Sequence, residues 1–200
     1  MNSGGTNRIG RFIAFLQRPS AKYSLITLLT LGFASGIIFW GGFNTALEAT
    51  NTLDFCISCH EMRDTVYQEY QQTVHFKNRT GVRAVCSDCH VPRDWTHKLA
   101  RKARASFEVW GKITGVVDTP EKFEANRMRL ATDEWARMQK SGSRECLNCH
   151  NFAAMDAERQ KSTAAKNHKQ AQAAGKTCID CHKGIAHHLP KEYRDPSEEE

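Results

Sequence analysis

The 200-residue sequence predicts a mainly α protein: one N-terminal transmembrane helix, then a compact domain with little or no strand, built as two related halves. Three observations predict this. Residues 23–47 carry no charged side chain. All eight cysteines fall in four copies of one motif, Cys-x-x-Cys-His. No stretch alternates apolar and polar residues as a half-buried strand does.

Before Glu48 the chain carries Arg8, Arg11, Arg18 and Lys22 and no acid. Residues 1–22 are therefore expected to be a basic N-terminus on the inner side of a membrane, and residues 23–45 the crossing. The run from Leu25 to Phe43 is mostly apolar, about one bilayer span at roughly 20 residues. Trp40 and Phe43 near its far end suit an aromatic interface belt, with the rest of the chain exported. A cleaved signal peptide would have a shorter apolar region and a small-residue cleavage site. Ala46-Leu47-Glu48-Ala49 is a poor match, so a retained anchor is expected. Gly32 and Gly36, four residues apart, permit close packing against another helix.

The motifs are Cys56-Ile57-Ser58-Cys59-His60, Cys86-Ser87-Asp88-Cys89-His90, Cys146-Leu147-Asn148-Cys149-His150 and Cys178-Ile179-Asp180-Cys181-His182. Each reads as a c-type haem attachment, in which two thiols form thioethers with the porphyrin and the adjacent histidine reaches the iron. Bare cysteine pairs would suit zinc, redox dithiols or disulfides, so the histidines decide. Nine residues in 200 are histidine, and chance would put one after all four pairs with a probability on the order of 10⁻⁶. Four covalently bound haem c groups are expected, supplying much of the apolar interior, so that folding requires haem. The formal charge of +6 omits the haem propionates and lies mostly before Glu48, so it is no argument for nucleic acid.

Residues 46–194 form the expected haem domain, with halves at about 50–100 and 144–190 and a helical connector over 94–140. Motifs one and two begin 30 residues apart, and motifs three and four 32 apart. Each half has a lone histidine between its motifs, His75 and His168, and more after its second motif, His97, then His187 and His188. This is the pattern of a duplicated two-haem unit. In the connector, residues 96–112 mix Leu99, Ala103, Phe107 and Trp110 with Lys98, Arg101, Lys102 and Arg104 as an amphipathic basic helix. Thr119 and Pro120 read as the N-cap and first residue of the next helix. Ser141-Gly142-Ser143 marks a break, residues 160–174 another helix ended by Gly175, and 195–200 an acidic disordered tail.

His60, His90, His150 and His182 are the default proximal ligands. Five histidines remain for at most four distal positions. His75, His168 and His187 are favoured, and His97 and His188 stay open. Met62 is a special case: two residues apart in a helix, His60 and Met62 point to different sides. Either His60 binds and Met62 fills core, or the chain turns so that the thioether binds.

The runs Phe39-Trp40-Gly41-Gly42-Phe43-Asn44-Thr45, Phe55-Cys56-Ile57-Ser58-Cys59-His60-Glu61-Met62-Arg63, Thr65-Val66-Tyr67-Gln68-Glu69-Tyr70 and Gly184-Ile185-Ala186-His187 closely resemble the NapC/NirT family of membrane-anchored tetrahaem quinol dehydrogenases. The resemblance covers nearly the whole chain. It implies a protein of the bacterial inner membrane with a periplasmic haem domain, oxidising menaquinol or ubiquinol for a soluble periplasmic reductase, foremost nitrate reductase. In a related partner subunit of nitrite reductase, the methionine of Cys-x-x-Cys-His-x-Met binds the first haem, and an acid inside motif two lies near its open side. The matching positions are Met62 and Asp88. Relatives carry histidine after the Val-Pro that follows motif two, where this chain has Arg93. That position is then not an essential ligand, or His97 replaces it.

Quinol oxidation needs a proton acceptor and a cationic donor beside a one-electron acceptor. Asp88 is the expected acceptor, and Arg83, or alternatively Lys77, the donor. A solvent-facing spacer and a propionate partner are the competing readings of Asp88 and Arg83. At the level of function, the competitors are an electron-donating anchor for a multihaem nitrite or other reductase, and a terminal reductase working at an open first haem.

Overall fold

The computed structural model describes residues 8–16 and 21–194. The expected acidic tail and Arg18 lie outside them. The chain divides into two compact units, Met1–Glu48 and Ala49–Glu200. Among the described residues there is no strand.

The first unit begins with α1, Arg8–Leu16, which the sequence reading did not anticipate. Ile9, Phe12 and Ile13 recur at helical spacing there, beside Arg8 and Arg11. Helix α2, Leu25–Ala49, has 25 residues and buries none of them, and at 1.5 Å per residue it is about 37 Å long. A helix apolar on every face and exposed on every face suits lipid as its solvent. It runs past the expected end at residue 45 because Ala46, Leu47 and Ala49 are good helix formers, and Asn44 Nδ2 donates to the Trp40 carbonyl at 2.8 Å instead of breaking the turn.

The second unit strings short helices around two long ones. In order they are α3 (Leu53–Cys56), a π-helical turn (Met62–Val66), α4 (Tyr67–Tyr70), α5 (Cys86–His90), α6 (Trp95–Ile113), α7 (Pro120–Lys140), α8 (Arg144–Leu147), α9 (Ser162–Ala173) and α10 (Cys178–Cys181). The expected connector is α6 and α7. Thr119 caps α7, its hydroxyl accepting from Lys122 N at 3.3 Å, with Pro120 at the first turn. The α6–α7 turn needs Gly115 at φ +75, where a Cβ would lie 3.3 Å from the Asp118 carboxylate.

The large apolar side chains buried here are Tyr70, Phe123, Met138 and Ile179. That is too little apolar burial to hold a domain of this length by side-chain packing alone. Buried polar clamps fasten distant segments of the domain together. Arg127 on α7 reaches Glu69 through both Nη atoms, at 2.6 and 3.0 Å. Its Nη1 also donates to the His188 carbonyl at 3.3 Å, and Glu69 accepts from His188 N at 2.8 Å. Ser143, fully buried at φ +54, accepts from Ile179 N at 3.1 Å, joining the start of α8 to α10.

Candidate haem centres

The four cysteine motifs form a contiguous series in space. Motif one ends α3, and motif two forms α5, which packs on α3. Ser87 Oγ donates to the Asn51 carbonyl at 2.7 Å. Cys56 and Cys86 are within hydrogen-bonding reach, which draws the Cys56 thiol below its ordinary range. Helix α5 packs on α8 of motif three, helped by Arg137, which donates to the Cys89 carbonyl at 3.2 Å and faces Glu145 at 3.4 Å. Ser143 then links α8 to α10 of motif four, and Gln139 Nε2 donates to Asp180 at 2.8 Å.

Three of the motif histidines face another histidine. The ring centres are 6.2 Å apart for His75 and His150, 6.2 Å for His90 and His187, and 6.0 Å for His168 and His182. A metal-bound imidazole nitrogen sits about 2 Å from its metal and about 1.1 Å from its ring centre, so two imidazoles on opposite faces of one iron have centres roughly 6.2 Å apart. The three pairs fit a bis-histidine haem at motifs two, three and four. Two of them cross between the halves: His75 faces motif three and His187 faces motif two.

Outer contacts orient these rings. His90 Nδ1 donates to Glu134 at 2.8 Å, His187 Nδ1 to the Val66 carbonyl at 3.2 Å, and His168 Nδ1 to Gln160 at 2.7 Å. With Nδ1 holding the proton, Nε2 presents its lone pair to a metal. Burial, reinforced by His90, pulls His187 down to about 4, so it is neutral at ordinary pH, as a ligand must be. Arg137 holds Glu134 in turn, at 2.6 Å. Sequence reading missed Glu134, Gln160 and the Val66 carbonyl. A glutamate in a charged helix and a backbone carbonyl carry no local signal.

Among the described residues, His97 and His188 join no facing pair. His97 Nδ1 lies 2.5 Å from Asp94 Oδ1, at the N-cap of its own helix. The exposed ring of His188 stands 3.7 Å from Glu69, and its backbone serves the Arg127 clamp. The loop between His182 and His187 turns at Gly184, φ +71, where a Cβ would lie 2.9 Å from Leu189 Cγ.

Motif one differs. His60 faces no histidine among the described residues, and its Nε2 lies 3.4 Å from Glu61, a buried carboxylate that also meets Lys112 Nζ at 3.1 Å. Met62 opens the π-helical turn and is 37% exposed, so it does not fill core. A π-turn widens the helix by one residue and re-aims the side chains beside it.

Of the residues considered for quinol, Arg83 and Lys77 line one shallow depression with Phe76, Asn78, Gly81 and Val82, and Asp88 is not part of it. The Arg83 guanidinium lies 3.9 Å from the Phe76 ring centre, and its Nε donates to the Phe76 carbonyl at 2.9 Å. Asp88 Oδ2 accepts from Val85 N at 2.8 Å, and Oδ1 lies 3.5 Å from Arg93. Asp180 caps motif four in the same way, accepting from Thr177 N at 2.6 Å. A solvent-facing spacer is therefore an incomplete description of Asp88, which caps its own helix.

No two of the eight cysteines are joined in a disulfide, and among the described residues no three His, Cys, Asp or Glu side chains converge as a bare metal site. Residues 18–192 match the NapC/NirT cytochrome c family, N-terminal region. The chain belongs to that family. It is 59% identical over 196 residues to the denitrification system component NirT of Stutzerimonas stutzeri, covering 98% of each chain. It is 61% identical over 173 residues to the cytochrome c-type protein NapC of Escherichia coli K12, covering 86% of each. A protein described as tetraheme cytochrome-c type, from Allochromatium vinosum, is 47% identical over 178 residues, 89% of this chain and 96% of that one. No solved structure matches. As a NapC/NirT family member the chain is a c-type cytochrome of electron transport with covalently bound haem c.

Proposed function

We propose that this chain is a single-pass quinol dehydrogenase of the bacterial inner membrane, N-terminus in the cytoplasm, that passes electrons through four haem c groups to a soluble periplasmic reductase. Nitrate reductase is the favoured recipient, by likeness to NapC, and a denitrification reductase the second, by likeness to NirT. The observation that carries the reading is the contrast between motif one and the other three. Haem c, when bound, takes one electron at a time, and two axial histidines close its iron to substrate. His90 with His187, His150 with His75 and His182 with His168 are proposed as the closed pairs. Met62 is proposed as the iron ligand at motif one, supported by its exposure on the π-turn and by Glu61 facing His60 Nε2.

Motif one is also the motif nearest in sequence to the end of α2, and motif two is held by Ser87 to Asn51, two residues past that end. This supports a first acceptor close to the membrane surface, where a quinol headgroup would lie. Asp88 is proposed to take the quinol proton through Oδ1, its other oxygen being engaged by Val85. Arg83 and Lys77 are proposed to hold the quinol oxygen from their shared depression.

In liposomes containing quinol, Asp88→Asn is expected to slow quinol oxidation at least about a hundredfold, the low end for loss of a general base, with full haem content. Asparagine keeps an acceptor for Val85 N, so the cap survives. Asp180→Asn, the matched change at motif four, leaves quinol oxidation unaltered. Normal turnover in Asp88→Asn removes Asp88 from the site. Quinol-driven reduction of added nitrate reductase but not of nitrite reductase would establish the favoured recipient, and the reverse result the second.

A further inference from the structure

Helix α6 is fastened to the second unit along one side. Lys102 Nζ donates to the Thr50 carbonyl at 3.0 Å and lies 2.6 Å from Thr50 Oγ1, and Lys112 Nζ meets Glu61 at 3.1 Å. Thr50 is the residue that follows α2, Leu25–Ala49. If α2 crosses the bilayer, Thr50 leaves it at headgroup depth, since one residue advances the chain by no more than about 3.8 Å. Lys102 is held at that depth with it.

Beyond Lys102, α6 exposes an apolar surface that runs from the Lys102 side, with Val109 and Ile113, round to Trp110 and Phe107. Phe107 is 76% exposed, Trp110 63% and Ile113 70%, and Val109 and Val116 beside them are exposed as well. Phe107 and Ile113 lie roughly 8 and 16 Å along the helix from Lys102. The 19 residues of α6 carry Lys98, Arg101, Lys102, Arg104 and Lys112 against the single acid Glu108, which Arg101 engages at 2.9 Å. An apolar face with Trp and Phe, flanked by Lys and Arg, is the pattern of a helix lying in a membrane interface, where the basic residues meet anionic headgroups. The interfacial layer of one leaflet is roughly 5 to 8 Å deep, so a helix attached at Thr50 stays within it only by lying along it.

We infer that the Phe107–Trp110–Ile113 face of α6 is a second membrane contact, resting in the headgroup and acyl boundary of an anionic bilayer. Together with α2 it holds the motif-one segment, which Lys112 grips through Glu61, at a set depth. The occupant is lipid: the basic flanks complement anionic headgroups, and the face continues from the point where the chain leaves the bilayer. The inference rests on α2 as a membrane anchor and not on quinol chemistry.

The test uses the full-length haem-loaded protein in bilayers of phosphatidylethanolamine and phosphatidylglycerol, with a trace of phospholipid bearing a photoreactive diazirine high in its acyl chain. After illumination, trypsin releases residues 105–112, which hold Phe107 and Trp110, and residues 170–176 of the α9 region as a reference. Labelling of 105–112 is expected to exceed the reference by at least about tenfold, and to fall to its level in Phe107→Ser/Trp110→Ser with an unchanged visible spectrum. Labelling of 105–112 no greater than that of 170–176, while α2 is labelled, overturns the inference, because the face is then covered by haem or protein. Labelling that survives the double substitution also overturns it. Should the variant lose haem, the unmodified protein still decides through the first comparison. No quinol is present, so failure of quinol oxidation leaves the result readable.

Discussion

His187→Met raises the midpoint potential of one haem by on the order of 0.1 V, a fraction of the roughly 0.8 V range that axial ligands span, and leaves the other haems in place. The reason is geometric. His187 faces His90 at 6.2 Å between ring centres, its Nδ1 engaged by the Val66 carbonyl, so Nε2 is the atom we propose would meet the iron of motif two. Thioether sulfur at that position favours reduced iron more than imidazole does. The neighbouring change His188→Ala is the stringent control, since His188 contributes its backbone to Glu69 and an exposed ring. It should leave every potential unchanged, as should His97→Ala. Redox titration with magnetic circular dichroism reads both the potential and the new ligand. A shift in His188→Ala and none in His187→Met would reverse the assignment.

Arg127→Met is expected to destabilise the haem domain by about 3 kcal/mol, the scale seen when one partner of a buried ion pair is removed. For a domain of this size that lowers the melting temperature by roughly 10 °C. The loss comes from what remains: Glu69, 12% exposed, keeps a charge without its bidentate partner, and the His188 segment loses a tie. Glu69→Leu/Arg127→Met should recover much of the loss, because burying two apolar groups leaves no orphaned charge. If the double variant is as unstable as the sum of the singles, the pair is not the source of the effect. The same clamp sets an acid limit. Burial raises the Glu69 pKa, but the Arg127 hydrogen bonds and charge and the His188 amide outweigh it, and the net shift is downward from 4.5. A depressed carboxylate contributes stability above its unfolded value, and that contribution is lost as the pH falls through the folded value. Wild type should therefore lose melting temperature more steeply below pH 4.5 than Glu69→Gln does.

Much of the fold was legible in local patterns. The uncharged run before Glu48 appears as α2, the Thr119–Pro120 signature starts α7, and the helix ended by Gly175 appears as α9. Where the pattern was shorter than its rule, the reading stopped: α1 is too brief to register, and α2 continues to Ala49 because helix propensity persists after apolarity ends. The candidate site was legible only in part. Matching histidine offsets suggested parallel halves, yet His168 faces the motif of its own half, whereas His75 and His187 face motifs of the other.

The sequence by itself determined the haem-attachment motifs and the long apolar helix α2. Thioether attachment needs two thiols and a histidine within five consecutive residues, and a bilayer crossing needs some twenty apolar ones. Both requirements are contiguous along the chain. The tertiary structure decided which histidine faces which, what orients each ring, and where α6 is held. His90 meets Glu134 across 44 positions and His187 meets Val66 across 121. Contacts over such separations are made by packing whole segments together and leave no period or motif behind. Met62 stands between the two cases. Its place two residues after His60 is written in the sequence, but the π-helical turn that exposes it exists only once the chain has folded.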